Sequence, residues 1–263
     1  MHKNFLKKIY FTLFMSIATL SCSASDQDIA SIFEESSVSG AMVISSHDGK
    51  VTYIHNEERA NERLSPASTF KIANSLIAIE EKVVNDEYEL IPWDGEEHSF
   101  IAWNSDQNLK SAFKHSCVWF YQEIAKNIGK EKYSSYLKAM HYGNAQPEPV
   151  LTKFWLTDGH LKISPVEQIE FIKNIHQKTI PTSKKSLNIL KNIMLDESHD
   201  NYRIYAKTGA ATKDWVGHGW YVGYIETSGR TWYFATNILI NNQDELNLRK
   251  KVTLDSFKKK GIL

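Results

Sequence analysis

The sequence predicts an α+β fold, in which one antiparallel sheet draws strands from both ends of the chain and is flanked by helices. A mainly helical second lobe is expected between those ends. Three observations carry this. A β-hairpin pattern stands near the start, apolar residues recur at helical spacing through the middle, and aromatic and β-branched runs return after residue 200. Strands at both ends satisfy each other's edges most simply in one antiparallel sheet, on which the helical middle packs.

The elements follow in order. Gly40 to Ser45 and Val51 to Ile54 flank His47-Asp48-Gly49-Lys50, with the turn at Asp48-Gly49. Ser65-Pro66 reads as a helix entrance, Pro66 setting the backbone angle and Ser65 placed to cap it. From Ser68 to Glu81 the apolar positions Phe70, Ile72, Ala73, Leu76, Ile77 and Ile79 predict a largely buried helix. Helical spacing recurs at Leu109 to His115, Trp119 to Ile128, Lys132 to Met140, Pro165 to Ile175 and Lys184 to Leu195. Strands are expected at Tyr202 to Lys207, Trp220 to Glu226 and Arg230 to Leu239, the last two joined at Thr227-Ser228-Gly229. A basic-faced helix from Asp244 to Lys260 closes the chain.

No repeat, low-complexity linker or shift in composition divides the chain after residue 24. Residues 25–263 therefore read as one domain, with a sheet lobe at about 25–66 and 200–263 and a helical lobe at about 67–199. Thirty-one basic residues stand against 31 acidic ones, so no global field favours nucleic acid or an anionic membrane. Charged ligands must be met by local groups. The ten histidines show no His-x-x-x-His spacing and the two cysteines no Cys-x-x-Cys, so no metal site is expected.

Residues 1–24 read as an export signal. His2, Lys3, Lys7 and Lys8 give a basic start, Ile9 to Leu20 an apolar run short for a bilayer span, and Ser21-Cys22-Ser23-Ala24 a small-residue cleavage region. Lipid anchoring at Cys22 is the lesser alternative, since Thr19 stands where such sites carry an aliphatic residue. Removal of Cys22 leaves Cys117 alone, so an intrachain disulfide is excluded and the core must hold the domain. The expected location is the periplasm.

Ser68 and Lys71 stand three apart and share one helix face. A serine hydroxyl needs a neighbouring base to attack at neutral pH, and lysine serves only when burial lowers its pKa. The Ser68 helix is apolar enough for that. The same spacing at Ser111/Lys114, Ser135/Lys138 and Ser256/Lys259 reads as solvated helix surface. What separates the first pair is its company: Ser116-Cys117-Val118 in a turn between helices, Tyr142-Gly143-Asn144 after a helix end, and Lys207-Thr208-Gly209 at a strand end. A Ser-x-x-Lys element, a second serine and Lys-Thr-Gly in that order are shared by serine β-lactamases and penicillin-binding proteins.

Together with Phe154-Trp155-Leu156, Trp220-x-x-Gly223 and Trp103-x-x-Asp106-x-x-Leu109, these motifs make the sequence after residue 24 resemble a class D, oxacillinase-type, serine β-lactamase. The Ser-Asp-Asn element of class A is absent. A peptidoglycan D,D-peptidase would prefer asparagine at Val118, and a membrane-bound β-lactam sensor would carry several transmembrane helices.

The resemblance implies an enzyme that takes β-lactam antibiotics and hydrolyses their amide through an acyl-enzyme on Ser68. Lys71 would be carboxylated by CO2 to N6-carboxylysine and act as general base, so bicarbonate is needed but no other cofactor. Backbone N–H groups of Ser68 and Ala210 would hold the oxyanion. Phe70, Val118, Trp155 and Leu156 would wall the lysine, with the Trp155 indole N–H donating to the carboxylate. On its own, Trp155 also reads as plain core packing. Ser116 would relay a proton to the leaving nitrogen, and its other reading is a helix N-cap; one does not exclude the other. Lys207, Thr208, Gly209 and Arg249 would bind the substrate carboxylate, which a guanidinium meets at two points. By sequence alone Arg249 belongs to the basic run Arg249-Lys250-Lys251, and Lys250 is the nearest competitor. Trp103 would wall the substrate side chain.

Overall fold

The computed structural model describes residues 25–263; the export-signal reading and Cys22 lie outside the described residues. Six strands form one fully antiparallel sheet: β1 (Gly40–Ser46), β2 (Thr52–His55), β3 (Leu195–Ser198), β4 (Tyr202–Lys213), β5 (Val216–Thr227) and β6 (Arg230–Ile240). Their spatial order is β2-β1-β6-β5-β4-β3, so the N-terminal hairpin joins the C-terminal strands through the β1–β6 pair. Register runs from Gly40 opposite Ile238 to Ser46 opposite Trp232. The sheet built from both chain ends is the one expected.

The sheet is covered on both faces, and its strands show why. Along β1, Ala41 and Val43 enter the core shared with the helical lobe, whereas Met42 and Ile44 enter a second core. The same alternation divides Trp220, Val222 and Tyr224 from Tyr221 and Ile225 on β5. Helices α1 (Gln27–Glu35) and α9 (Leu248–Lys259) close the second core through Ile29, Phe33, Val252 and Phe257. Cover on two faces leaves β1, β5 and β6 buried along most of their length.

The helical lobe comprises α3 (Lys71–Glu80), α4 (Leu109–Lys114), α5 (Val118–Ile128), α6 (Lys130–Ala139), α7 (Pro165–His176) and α8 (Lys184–Met194). All fall within a few residues of expectation. Helix α7 begins with a reciprocal capping box between Ser164 and Glu167 and with Pro165 in its first turn. Helix α3 is different: Ile72, Ala73, Leu76 and Ile77 are fully buried, and polar Asn74 and Ser75 are buried with them.

Five features depart from expectation. Helix α1, capped by Asp26, and the five-residue α2 (Glu57–Asn61), capped by a left-handed Asn56, were not anticipated. Strand β3 adds a short outer edge. Strand β4 runs to Lys213, so Lys207-Thr208-Gly209 lies within the strand and not at its end. The closing helix is a 3-10 turn (Gln243–Asn247) leading into α9, because Asn242 caps the N–H groups of Asp244 and Glu245.

Candidate active site

The site forms where the turn before α3 meets β4, β5 and the segment containing Trp155. Ala67–Phe70 is a 3-10 turn that passes into α3 at Lys71. Ala67 holds φ +47°, a left-handed conformation unusual for a residue with a Cβ, immediately before Ser68. Ser65 does not cap this turn. Its Oγ instead donates to the carbonyls of Leu156 (2.8 Å) and Trp155 (3.2 Å). The Ser65 carbonyl accepts from Trp220 Nε1 at 2.8 Å and lies 2.9 Å from His218 Nε2. One residue thus joins the Ser68 turn to the sheet and to the Trp155 segment. Thr69 adds a further tie, donating to the Pro66 carbonyl (2.7 Å) and accepting from Gln168 Nε2 (2.9 Å).

Lys71 has no exposed surface, and its Nζ donates to Ser68 Oγ at 3.0 Å. Burial lowers its pKa to about 7, so a large share of the amine is neutral at ordinary pH. The Tyr121 ring centre lies 5.0 Å from Nζ, and the Tyr121 hydroxyl is held by Ser75 Oγ at 2.8 Å. Phe70 and Trp155 pack at a 32° tilt with ring centres 5.6 Å apart. Trp155 is fully buried and its Nε1 has no hydrogen-bond partner among the described residues. An orphaned buried N–H costs roughly 1–3 kcal/mol, so the site is shaped for an acceptor that the bare protein lacks.

Ser116 takes φ +55°, and Cys117 rather than Ser116 occupies the N-cap position of α5, without a side-chain bond. The cap reading is therefore set aside. Ser116 Oγ instead accepts from Lys207 Nζ at 2.6 Å. Lys207 is buried on β4, opposite Val222, and also reaches the Thr208 carbonyl at 3.0 Å. Burial, then the charges of Lys71 and Arg249, push its pKa well below the usual lysine range.

Gly209 lets β4 approach the Ser68 turn: a Cβ there would stand 3.0 Å from the Pro66 carbonyl and 3.1 Å from Thr69 N. Ala210 follows, exposed and opposite Gly219. Arg249, in the first turn of α9, donates from Nη1 to the Gly209 carbonyl at 2.7 Å; its Nε is buried and has no partner among the described residues. Burial lowers its pKa to about 10. Lys250 turns instead to Asp196 at 2.6 Å.

Val118 opens α5 half-buried, and Leu156 packs half-buried against the core. Trp103 lies by the turn that carries Ser116: its Nε1 donates to the His115 carbonyl (3.0 Å), and its own carbonyl accepts from Trp119 Nε1 (2.9 Å). Tyr142-Gly143-Asn144 braces from behind. Gly143 takes φ +51° as its motif position suggested, and Tyr142 packs edge-on against Phe70. Sequence reasoning missed His218, Gln168 and Tyr121 and gave Ser65 the wrong partners, because the true ones lie far along the chain. Among the described residues no three metal-ligating side chains gather.

A serine beside a desolvated lysine, a second serine bridged to a strand lysine, and a sheet flanked by helices define a protein of the penicillin-binding, transpeptidase type. The family model of the penicillin-binding protein transpeptidase domain matches residues 26–258. The chain is 38% identical to the β-lactamase OXA-48 of Klebsiella pneumoniae, over 88% of this chain and 87% of that protein. It is also 38% identical to a probable β-lactamase, YbxI, of Bacillus subtilis, over 81% and 77%. Among solved structures, a class D β-lactamase YbXI from Nostoc superposes with TM-score 0.87 at 39% identity, covering 89% of this chain and 99% of that one. A class D β-lactamase from Sebaldella termitidis gives 0.86 at 39% identity, covering 91% and 98%. The chain belongs to the class D serine β-lactamases, and is a hydrolase of the antibiotic-resistance type.

Proposed function

We propose that the protein opens the β-lactam amide of penicillin-type antibiotics through an acyl-enzyme on Ser68, with Lys71 carboxylated by CO2 as the base. The observation that carries this reading is a fully buried amine 3.0 Å from a hydroxyl, its pKa lowered by burial to about 7. Only a neutral amine combines with CO2, and it gives up one proton in doing so. The added carboxylate would be held by Ser68 Oγ and by the unpartnered Trp155 Nε1, which fits an acceptor. Once present, it supplies a stronger proton acceptor than an ammonium for both attack on the lactam and attack by water.

The remaining roles fall to this chain's own groups. Ser68 Oγ attacks the lactam carbonyl and becomes acylated, and the carbonyl oxygen takes up charge facing the N–H groups of Ser68 and Ala210. Lys207 Nζ, hydrogen-bonded to Ser116 Oγ, supports transfer of a proton through Ser116 to the departing nitrogen. Thr208, Gly209 and Arg249 receive the substrate carboxylate. Val118, Leu156 and Trp103 supply apolar walls. The basic and apolar pattern of residues 1–24 supports export to the periplasm with cleavage near Ala24.

A chromogenic cephalosporin assay tests this reading. Continuous turnover that rises with added bicarbonate is expected. A single stoichiometric burst, or turnover indifferent to bicarbonate in degassed buffer, would contradict it.

A further inference from the structure

At its carboxylate-binding end the cleft opens onto a cavity of about 430 Å³ between α4, the end of α8, β3, β4 and α9. Its wall carries five basic side chains, Lys110, Lys114, Lys207, Arg249 and Lys250, against the single carboxylate of Asp196. That carboxylate is already engaged, by Lys250 at 2.6 Å and by the Tyr221 hydroxyl at 2.7 Å. No carboxylate pairs with Lys110, Lys114, Lys207 or Arg249 among the described residues.

Such an arrangement is costly when empty. Like charges around one cavity repel, and Lys207 and Arg249 are largely removed from water, which disfavours their charged forms until an anion joins them. Arg249 Nε is also a buried donor with no acceptor among the described residues, although its Nη1 is satisfied by the Gly209 carbonyl. A lone substrate carboxylate at Thr208 and Arg249 would neutralise one charge. It would leave Lys114 without an anionic partner and Lys110 with only the Tyr88 ring, whose centre lies 5.4 Å from its Nζ.

We propose that this cavity is a second anion-binding site, built for a multivalent oxyanion that lies between the Lys110–Lys114 side of α4 and Arg249. The chemistry is that of a phosphate-type or polycarboxylate anion, either free or as an additional acidic group carried by a β-lactam beside its ring carboxylate. A free anion there reaches Lys207 and Thr208, and so competes with substrate. The site rests on the position of the carboxylate subsite in the reading above, but its binding does not need turnover.

The probe is inorganic pyrophosphate, titrated calorimetrically into the full protein at fixed ionic strength. Binding at one site is expected, weakened about tenfold in the double variant Lys110→Ala/Lys114→Ala, while KM for benzylpenicillin stays within about twofold. Absence of binding heat, or equal affinity in the double variant, overturns the site whether or not the protein hydrolyses lactams. Kinetics then separate the two sources. Competitive inhibition by pyrophosphate that the double variant relieves assigns the site to a free anion. A KM that rises in the double variant only for cephalosporins with an added acid next to the ring carboxylate assigns it to the substrate.

Discussion

Lys71 Nζ donates to Ser68 Oγ across 3.0 Å from a position with no exposed surface. That bond joins two needs that oppose each other in water: a hydroxyl that must lose a proton and an amine that would otherwise hold one. Burial resolves the conflict by taking the lysine pKa from 10.5 to about 7.

The sign of the pH dependence follows. The folded-state pKa of Lys71 is depressed, so the neutral amine that CO2 needs prevails above about pH 7 and is lost as pH falls through it. Activity should fall on the acid side, and added bicarbonate should restore part of it at about pH 6. Lys71→Ala should fold and lose turnover by at least roughly a thousandfold. Steady-state rates across pH, with and without bicarbonate, measure this.

Trp155→Phe keeps most of the buried ring and removes the unpartnered N–H. Without CO2 the variant should be as stable as the parent or slightly more so, since an orphaned donor costs roughly 1–3 kcal/mol. With CO2 it should need several-fold more bicarbonate for half-maximal activity. Thermal melts in degassed buffer and a bicarbonate titration separate the two effects.

Arg249→Ala should raise KM for carboxylate-bearing lactams by about ten- to a hundredfold with a smaller change in kcat, as expected for lost ground-state binding. Lys250→Ala should leave KM nearly unchanged, because Lys250 is turned to Asp196. The reverse outcome in steady-state kinetics would exchange their roles.

His218 packs against the Ser65 carbonyl, and burial lowers its pKa from 6.5 to about 4. Its folded-state pKa is depressed, so the unfolded chain takes up the proton first as pH falls. Stability should therefore decline between about pH 6.5 and about pH 4, by up to roughly 3 kcal/mol. Denaturant unfolding of the parent and of His218→Gln across that range checks it, the variant showing the shallower decline.

The sequence made some of this legible because the signals were local. Asp48-Gly49 set the hairpin, the 3.6-residue spacing set α3 to α8, and the Ser68-to-Lys71 interval put hydroxyl and amine on one face. What it concealed was long-range or short. Ser65 looked like a cap because capping is the common local use of a serine before Pro66, yet its partners are Leu156, Trp155, Trp220 and His218. Ser116 likewise looked like a cap, but a positive φ takes it out of that position and Lys207 claims its hydroxyl. Strand β3 escaped notice because four residues on an exposed edge carry no apolar alternation. The cationic cavity was invisible for a plainer reason: its charges come from three elements distant in the chain.

Carboxylation of Lys71 is tested most directly by nuclear magnetic resonance of the protein equilibrated with isotopically labelled bicarbonate. One carbamate resonance per chain is expected, absent from Lys71→Ala and fading below about pH 6 as the amine protonates. A protein that hydrolyses β-lactams at full rate while showing no such resonance would contradict it.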